Sequence, residues 1–201
     1  MNRKKRQTNP RTLVDYCDLF SKIKVNKSKQ RGDAPYKPIL LLSVIDLIAQ
    51  GSIEDNYIYI SDKLINTFNN YWNILSPDSF NGGLALPFFH LKNDGFWTLK
   101  FSEEYDGGRP QTIPKLKEDV DYAKIDYELF EFLQDPNSRE ELIYALIETW
   151  FSSSQKEIEE ILKINQTLQD STNIESLEEI ETLDKEKRFH LRKSVASSKC
   201  L

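Results

Sequence analysis

Residues 31–48 read RGDAPYKPILLLSVIDLI, so a basic segment that contains glycine and proline runs directly into an apolar stretch. Only one serine and one aspartate interrupt the apolar run, which predicts a helix buried on nearly every side rather than an amphipathic one. Pro38 fits the first turn of this helix, because the N–H that proline lacks has no helical partner there. We therefore expect the helix to hold Tyr36 and Lys37 rigidly at its N-terminal end, with both side chains pointing outward.

A second informative segment, residues 83–97, reads GLALPFFHLKNDGFW. Asn-Asp-Gly at 93–95 is typical of a tight turn, and apolar residues lie on both sides of it. This pattern predicts a small antiparallel hairpin. Pro87 lies in its first strand, and Trp97 of the second strand is expected in the core.

The flanking segments predict further elements, most of them helical. Apolar residues at helical spacing predict helices over residues 12–23, 62–75, 115–123, 126–134 and 138–152. Thr12 and Ser61 are suitable N-caps for the first two. Residues 24–37 are interpreted as a basic loop and residues 57–60 as a short strand. The predicted fold is α+β and mainly α, a helical domain with a small antiparallel β-hairpin or sheet and an acidic helical C-terminal extension.

The charge of the chain is polarised, although its net value is −5. Residues 1–40 contain 11 lysines and arginines against 3 acidic residues, whereas the remaining 161 residues contain 16 against 29. Such asymmetry indicates that the basic end meets a polyanion, since cations that converge on one face can bind DNA even when the whole protein is acidic. The alternative is a flexible basic tail that only improves solubility.

Composition also bears on location and on partners. No apolar run approaches the roughly 20 residues of a membrane span, so no membrane partner is expected. The basic cluster at residues 2–7 is not followed by the hydrophobic segment of a secretory signal. Cys17 and Cys200 lie far apart and show no pairing pattern, which favours a reducing, cytoplasmic location. A homodimer is left open.

The sequence shows no pattern of a catalytic or metal site. His90 and His190 are its only histidines, and with two isolated cysteines they form no zinc-ligand cluster and no recognisable His-Asn-His nuclease motif. Neither a Gly-x-Gly-x-x-Gly segment nor a Walker-type phosphate loop is present. We therefore expect no metal, no cofactor and no catalysis within these 201 residues, and we interpret His90 as a structural or phosphate-facing residue.

Three motifs occur in a fixed order: APYKPILLL at 34–42, LPFFHL at 86–91 and DGFW at 94–97. Together they resemble the sulfur-binding domain of phosphorothioation-dependent DNA restriction endonucleases. The resemblance implies that the chain recognises double-stranded DNA with phosphorothioate linkages, in which sulfur replaces a non-bridging phosphate oxygen, as the reader of a modification-dependent restriction system. The resemblance covers a sulfur-binding domain at 12–135. The polar composition of residues 1–11 predicts a disordered basic tail, and the pattern of residues 136–201 predicts a helical extension that can lead to a nuclease domain outside this chain.

Sulfur is a larger, softer and poorer hydrogen-bond acceptor than oxygen, so a discriminating site needs a dry apolar cup with cations around it. The resemblance places Tyr36-Lys37 where the family often has His followed by a basic residue, and Leu86-Pro87 where it often has Tyr-Pro. Tyr36 can still donate a hydrogen bond, and Leu86 keeps the apolar contact without a hydroxyl. The expected sulfur pocket consists of Tyr36, Leu86, Pro87 and Leu99, with Phe101 as an alternative to Leu99. The expected DNA-binding residues are Lys29, Arg31, Tyr36, Lys37 and Arg109.

Three other functions stay open at the level of sequence. The chain can be the recognition part of a phosphorothioation-dependent endonuclease of the His-Asn-His type, whose catalytic domain lies beyond residue 201. It can be a DNA-binding module that is indifferent to sulfur, in which Pro87 is purely structural. It can also be a protein-interaction adaptor that uses the acidic helices. A longer reading frame with a His-Asn-His motif would indicate the endonuclease. Equal affinity for modified and plain DNA would indicate the sulfur-indifferent module, and no DNA binding at low salt would indicate the adaptor.

Overall fold

Over residues 10–28, 32–76, 80 and 82–151, which the computed structural model describes, the chain forms seven α-helices and five short β-strands. The helices are α1 Leu13–Ser21, α2 Tyr36–Ala49, α3 Asp62–Leu75, α4 Ala85–His90, α5 Ile113–Asp119, α6 Tyr127–Gln134 and α7 Pro136–Trp150. A short 3-10 helix, Leu91–Asn93, follows α4. The strands are β1 Lys27–Ser28, β2 Gly32–Asp33, β3 Tyr57–Ile58, β4 Trp97–Phe101 and β5 Val120–Ile125. The predicted α+β fold, mainly helical with a small antiparallel sheet, is confirmed for these residues.

Helix α2 forms the centre of the core, as its sequence predicts. Every residue from Lys37 to Ile48 is buried, and α3, α4, α6 and α7 pack around the helix. The hydroxyl of Ser43, which interrupts the apolar run, donates a hydrogen bond to the carbonyl of Ile39 at 2.8 Å. Gly51 follows the helix with a φ of 62°, a left-handed conformation that glycine adopts without strain.

The two N-caps predicted from the sequence are confirmed. At the start of α1, the Thr12 hydroxyl accepts a hydrogen bond from the Asp15 N–H at 3.3 Å, and the Asp15 carboxylate accepts one from the Thr12 N–H at 2.8 Å. At the start of α3, the Ser61 hydroxyl accepts a hydrogen bond from the Leu64 N–H at 3.1 Å. Both helix starts are thus fixed by residues three positions apart, which is why local sequence reveals them.

Strand β5 is the centre of a three-stranded antiparallel sheet, with β3 on one side and β4 on the other. The predicted helix over 115–123 is only partly correct, because α5 ends at Asp119 and β5 begins at the next residue. In the second half of β5, Ala123 and Ile125 are buried and the residue between them is exposed, the period of a half-buried strand. Pairing with two distant strands outweighs the local helical preference of this segment.

The predicted hairpin around residues 93–95 is wrong on its N-terminal side. Residues 85–90, expected in a strand, form α4, so the turn connects a helical segment to β4. The turn itself is present, since Gly95 has a φ of 87°. Helix α4 buries Phe88 and Phe89. A short apolar run of this kind is compatible with either structure until tertiary packing decides.

Segment 24–37, expected as a loop, contains a short two-stranded ribbon as well. Strands β1 and β2 pair antiparallel with Lys27 opposite Asp33, and these two side chains form an exposed ion pair at 3.5 Å. The prediction of a purely irregular segment is therefore wrong. Lys29 and Arg31, which lie between the two strands in sequence, are outside the described residues.

Helix α7, with which the predicted extension begins, packs against α1, α2 and α6. The indole Nε1 of Trp150 donates a hydrogen bond to the carbonyl of Phe20 at 2.9 Å. The domain division after residue 135 stays a prediction. Most of the basic tail, and the acidic extension from residue 152 onward, lie outside the described residues. None of the described helices is long and apolar enough to cross a membrane.

Candidate nucleic-acid interface

A surface pocket of about 500 Å³ lies between the N-terminal end of α2, helix α4 and the loop that follows β4. Five residues expected from the sequence to bind DNA or sulfur line it: Tyr36, Lys37, Leu86, Pro87 and Arg109. The rest of its lining consists of Lys24, Val25, Asn26, Ala34, Gly82, His90 and Asn93. Because the fold brings most of the expected residues together here, this pocket is the candidate site.

Lys37 enters the pocket from the first turn of α2 as part of a buried ion pair. Its Nζ lies 2.6 Å from Oδ2 of Asp94, and the two side chains are only 10% and 4% exposed. The other carboxylate oxygen of Asp94 accepts a hydrogen bond from the backbone N–H of Lys24 at 2.9 Å. The expectation that Lys37 points outward is therefore wrong, because Asp94 holds and neutralises its ammonium group inside the protein.

The ring of Tyr36 is fixed by aromatic neighbours. It stacks on Trp72 with ring centroids 4.7 Å apart and an interplanar angle of 18°, and it meets Phe80 edge-on at 5.9 Å. Gly82 lies against the same ring, since a Cβ at this position would come within 2.1 Å of Cε1 of Tyr36. Only a residue without a side chain fits at position 82 while Tyr36 keeps this orientation.

Helix α4 supplies an apolar wall. Leu86 is 37% exposed, Pro87 is buried, and both line the pocket. Elsewhere on the helix, the ring of Phe88 packs nearly perpendicular to that of Trp97 in the core, with centroids 5.1 Å apart. Pro87 is the third residue of the helix, where the missing N–H leaves no hydrogen bond unmade. A short helix, rather than the expected strand, thus carries the Leu86-Pro87 pair into the pocket.

Leu99, also expected in the sulfur pocket, lies elsewhere. It is not among the described residues that line the pocket, and in β4 it pairs with Ala123 of β5. Its alternative, Phe101, stacks on Tyr105 with ring centroids 4.0 Å apart. Both were placed beside Pro87 by the predicted hairpin. Because that hairpin does not form, the structure does not bring Leu99 into this pocket.

Arg109 reaches the pocket from the loop between β4 and α5. Two hydrogen bonds of 2.8 Å hold this loop: the Tyr105 hydroxyl donates to the carbonyl of Gly108, and the Asp106 carboxylate accepts from the Gly108 N–H. Arg109 is exposed and forms no ion pair within the described part of the chain. Its charge is therefore available to an anion from solvent.

His90 and Lys24 line the pocket, although the sequence did not assign them to the expected site. Burial lowers the pKa of His90, and the positive charges of Lys37 and Arg109 lower it further, so the imidazole is neutral at pH 7. Lys24 is exposed, and its ammonium donates a hydrogen bond to the carbonyl of Asn93 at 3.1 Å. Helical spacing could have revealed His90, since positions 86, 87 and 90 share one face of a helix, which the strand interpretation concealed.

Residues 14–165 match the sequence profile of the ScoMcrA-like DNA sulfur-binding domain family. The chain belongs to this family. Its match runs from α1 past the end of α7, so the whole pocket lies inside the sulfur-binding domain. The family resemblance seen in the sequence motifs is thereby confirmed. Comparison with curated protein sequences gives no significant match.

Two solved sulfur-binding domains have a similar fold. The domain of ScoMcrA, complexed with phosphorothioated DNA, is 20% identical with a TM-score of 0.53, and the match covers 71% of this chain and 89% of that chain. The domain of SprMcrA, also complexed with phosphorothioated DNA, is 19% identical with a TM-score of 0.54, covering 70% of this chain and 86% of that chain. At these identities the likeness shows a shared fold and does not assign roles to individual residues of this chain.

Proposed function

We propose that this sulfur-binding domain recognises double-stranded DNA with phosphorothioate linkages and places the sulfur against Leu86 and Pro87. The pocket carries the proposal, because it combines an apolar wall on α4 with the exposed cations Lys24 and Arg109 from two other segments. The cations supply affinity by displacing counterions from the phosphate backbone. The wall supplies discrimination, because an oxygen placed against the side chains of Leu86 and Pro87 loses water and gains no donor from either of them.

Within this proposal, the residues at the N-terminal end of α2 have distinct roles. Tyr36 donates a hydrogen bond to the phosphate, and its stacking on Trp72 keeps the ring preorganised, which lowers the entropy lost on binding. Lys37 lines the pocket and shapes it, while most of the phosphate attraction comes from Arg109 and Lys24. Lys29 and Arg31 remain proposed phosphate contacts on the grounds of their sequence position.

The proposal extends to the biological setting. The domain acts as the reader of a modification-dependent restriction system in the cytoplasm, and a nuclease on the same chain or on a partner cuts the recognised DNA. Membership of the sulfur-binding family supports this setting over an adaptor that works through acidic helices. Among the described residues, no three His, Cys, Asp or Glu side chains are grouped so that they could hold a metal ion.

Titration of one duplex with and without a single phosphorothioate, at fixed salt, tests the proposal. The modified duplex should bind about 5- to 150-fold more tightly, which corresponds to roughly 1–3 kcal/mol for an oxygen that is desolvated without a partner. Equal affinities would favour a sulfur-indifferent binder, and no binding at low salt would favour the adaptor. Light scattering on the same samples would distinguish a monomer from a homodimer.

A further inference from the structure

The pocket contains one titratable side chain that the proposed function leaves without a role, the imidazole of His90. It lines the pocket together with Leu86 and Pro87, and these three positions lie on one face of α4 because residues three and four apart in a helix are neighbours. The buried ring of Phe89 meets the imidazole nearly perpendicularly, with ring centroids 5.4 Å apart. His90 therefore forms the C-terminal end of the wall to which we assign the sulfur.

Charged groups from several segments surround this half-buried imidazole: Lys24, Lys37, Lys92, Asp94 and Arg109. Burial lowers the pKa of His90 most, the positive charges of Lys37, Arg109 and Lys92 lower it further, and Asp94 opposes them. In the free domain the imidazole is therefore neutral at pH 7. A bound phosphate acts in the opposite direction, because a nearby anion favours the imidazolium form.

We propose that His90 is a specificity-determining residue that sets how strongly the pocket prefers sulfur over oxygen; this inference rests on the proposed function. A neutral imidazole offers a single N–H donor, so the wall leaves a phosphate oxygen largely unsatisfied. An imidazolium offers two donors and a positive charge, and it compensates an oxygen for the water it loses. Sulfur gains less because it is the poorer acceptor. The preference is therefore large while His90 is neutral and shrinks when His90 is protonated.

Proton uptake on binding determines how the two affinities change with pH. Because the phosphate raises the pKa of His90 in the complex above its value in the free domain, binding takes up a proton. The added affinity is fully present below the pKa of the free domain and is lost as the pH rises through the pKa of the complex. The plain duplex gains more than the modified one, so the ratio of their affinities falls as the pH falls.

Dissociation constants for the modified and plain duplexes, measured at fixed salt at about pH 7.5 and about pH 5.5, test this inference. In the unaltered chain the affinity ratio should fall by about three- to tenfold on acidification, the worth of one hydrogen bond. In His90→Gln it should stay constant, because a glutamine amide does not titrate in this range. His190 is the only other histidine, so His190→Gln is the matched control and should keep the full pH dependence.

A direct measurement complements the affinities. The His190→Gln variant has a single imidazole, so its NMR titration reports His90 alone, with an expected midpoint below the ordinary 6.5 in the free domain and a higher midpoint in complex with plain duplex. An unmoved midpoint on binding, or a pH-dependent ratio that survives in folded His90→Gln, would overturn the role of His90 while the sulfur preference stands. Equal affinity for both duplexes at every pH would overturn the proposed function and the role of His90 together.

Discussion

Two sides of one pocket carry cations with different environments. On the α2 side, Lys37 is buried and its ammonium lies 2.6 Å from the carboxylate of Asp94. On the side of the β4–α5 loop, Arg109 is exposed and forms no ion pair within the described part of the chain. Although both cations line the pocket, this difference in burial leads us to expect unequal contributions to DNA binding. We therefore expect Lys37, buried with its counter-ion, to serve mainly the structure, and the exposed Arg109 to offer its charge to a polyanion.

Asp94 explains why the α2 side is rigid. One of its oxygens holds the Lys37 ammonium, and the other accepts the backbone N–H of Lys24. A single carboxylate thus ties together the start of α2, the segment before β1 and the turn that precedes β4. These contacts set the shape of the pocket, and the loop with Arg109 adds charge to a framework that is already built.

The largest effect is expected when this ion pair is broken. Asp94→Ala leaves the Lys37 ammonium buried without a counter-ion. Lys37→Ala likewise leaves the Asp94 carboxylate buried without a counter-ion. Each change should lower the free energy of unfolding by about 3–5 kcal/mol, as for other buried pairs that lose one partner. Urea denaturation measures this value.

Arg109→Ala is the matched control for the broken ion pair. As a substitution of an exposed side chain, it should change the free energy of unfolding by less than about 0.5 kcal/mol. Removing both charges with Lys37→Met and Asp94→Leu should cost less than the sum of the single changes, because no charge is then buried alone. If Arg109→Ala destabilised the domain as much as Lys37→Ala, the distinction between the two sides would be lost.

The sequence predicts the two sides to different extents. Residues 31–48 alone predict the buried helix α2 and the polar residues at its N-terminal end, because apolar composition and an early proline act locally. The partner of Lys37 does not, since Asp94 lies 57 positions away. Asp94 also belongs to the Asn-Asp-Gly turn, where aspartate is a common turn residue, so nothing in the local sequence points to a second role as an ion-pair partner.

The wall on α4 shows a different kind of failure. The sequence places Leu86 and Pro87 together in one pocket, and both line the same pocket in the structure. The sequence nevertheless predicts a strand for the segment, because a short apolar run satisfies either period. That error had two consequences. It placed Leu99 next to Pro87, and it put His90 on the opposite face from Pro87, since side chains alternate along a strand. The family motifs single out Leu86 and Pro87, whereas the secondary structure of the segment determines which side chains lie beside them.

The next largest effect concerns how the α2 side holds Tyr36. Gly82→Ala would place a Cβ 2.1 Å from Cε1 of Tyr36, so the ring or the 82–84 segment must shift. We expect a loss of about 1–3 kcal/mol in the free energy of unfolding, the usual cost of overpacking. Gly83→Ala is the matched control, because nothing lies within 4 Å of a Cβ at that position. Equal effects of the two alanines would show that Tyr36 is not held by this contact.

A smaller effect, on binding alone, is expected from the charge of Arg109. Arg109→Ala should weaken binding to modified and plain duplex alike, by about tenfold, and lower the salt slope by about one phosphate contact. Lys100→Ala removes an exposed cation of β4 that does not line the pocket, so it should leave the slope unchanged. A salt slope that is the same in Arg109→Ala and in the unaltered chain would remove the loop side from the DNA-binding surface.

The smallest expected effect separates the wall from both cationic sides. Pro87→Ser puts a hydroxyl donor against the position assigned to sulfur, so a phosphate oxygen gains a partner that it otherwise lacks. The preference for modified DNA should shrink by about fivefold, or roughly 1 kcal/mol, and by more than the overall affinity falls. Arg109→Ala, in contrast, should weaken both complexes and keep the preference. Paired titrations of the two duplexes measure both quantities.

Pro87 is buried in the first turn of α4, so its replacement can disturb the helix as well as the wall. Circular dichroism must therefore show an unchanged folded content before the titration is interpreted. Leu86→Ser provides an independent version of the test, because Leu86 is 37% exposed and its truncation leaves the core intact. If both folded variants kept the full preference for modified DNA, the sulfur would bind away from α4, and discrimination would have to come from the α2 side, where Tyr36 is the remaining candidate.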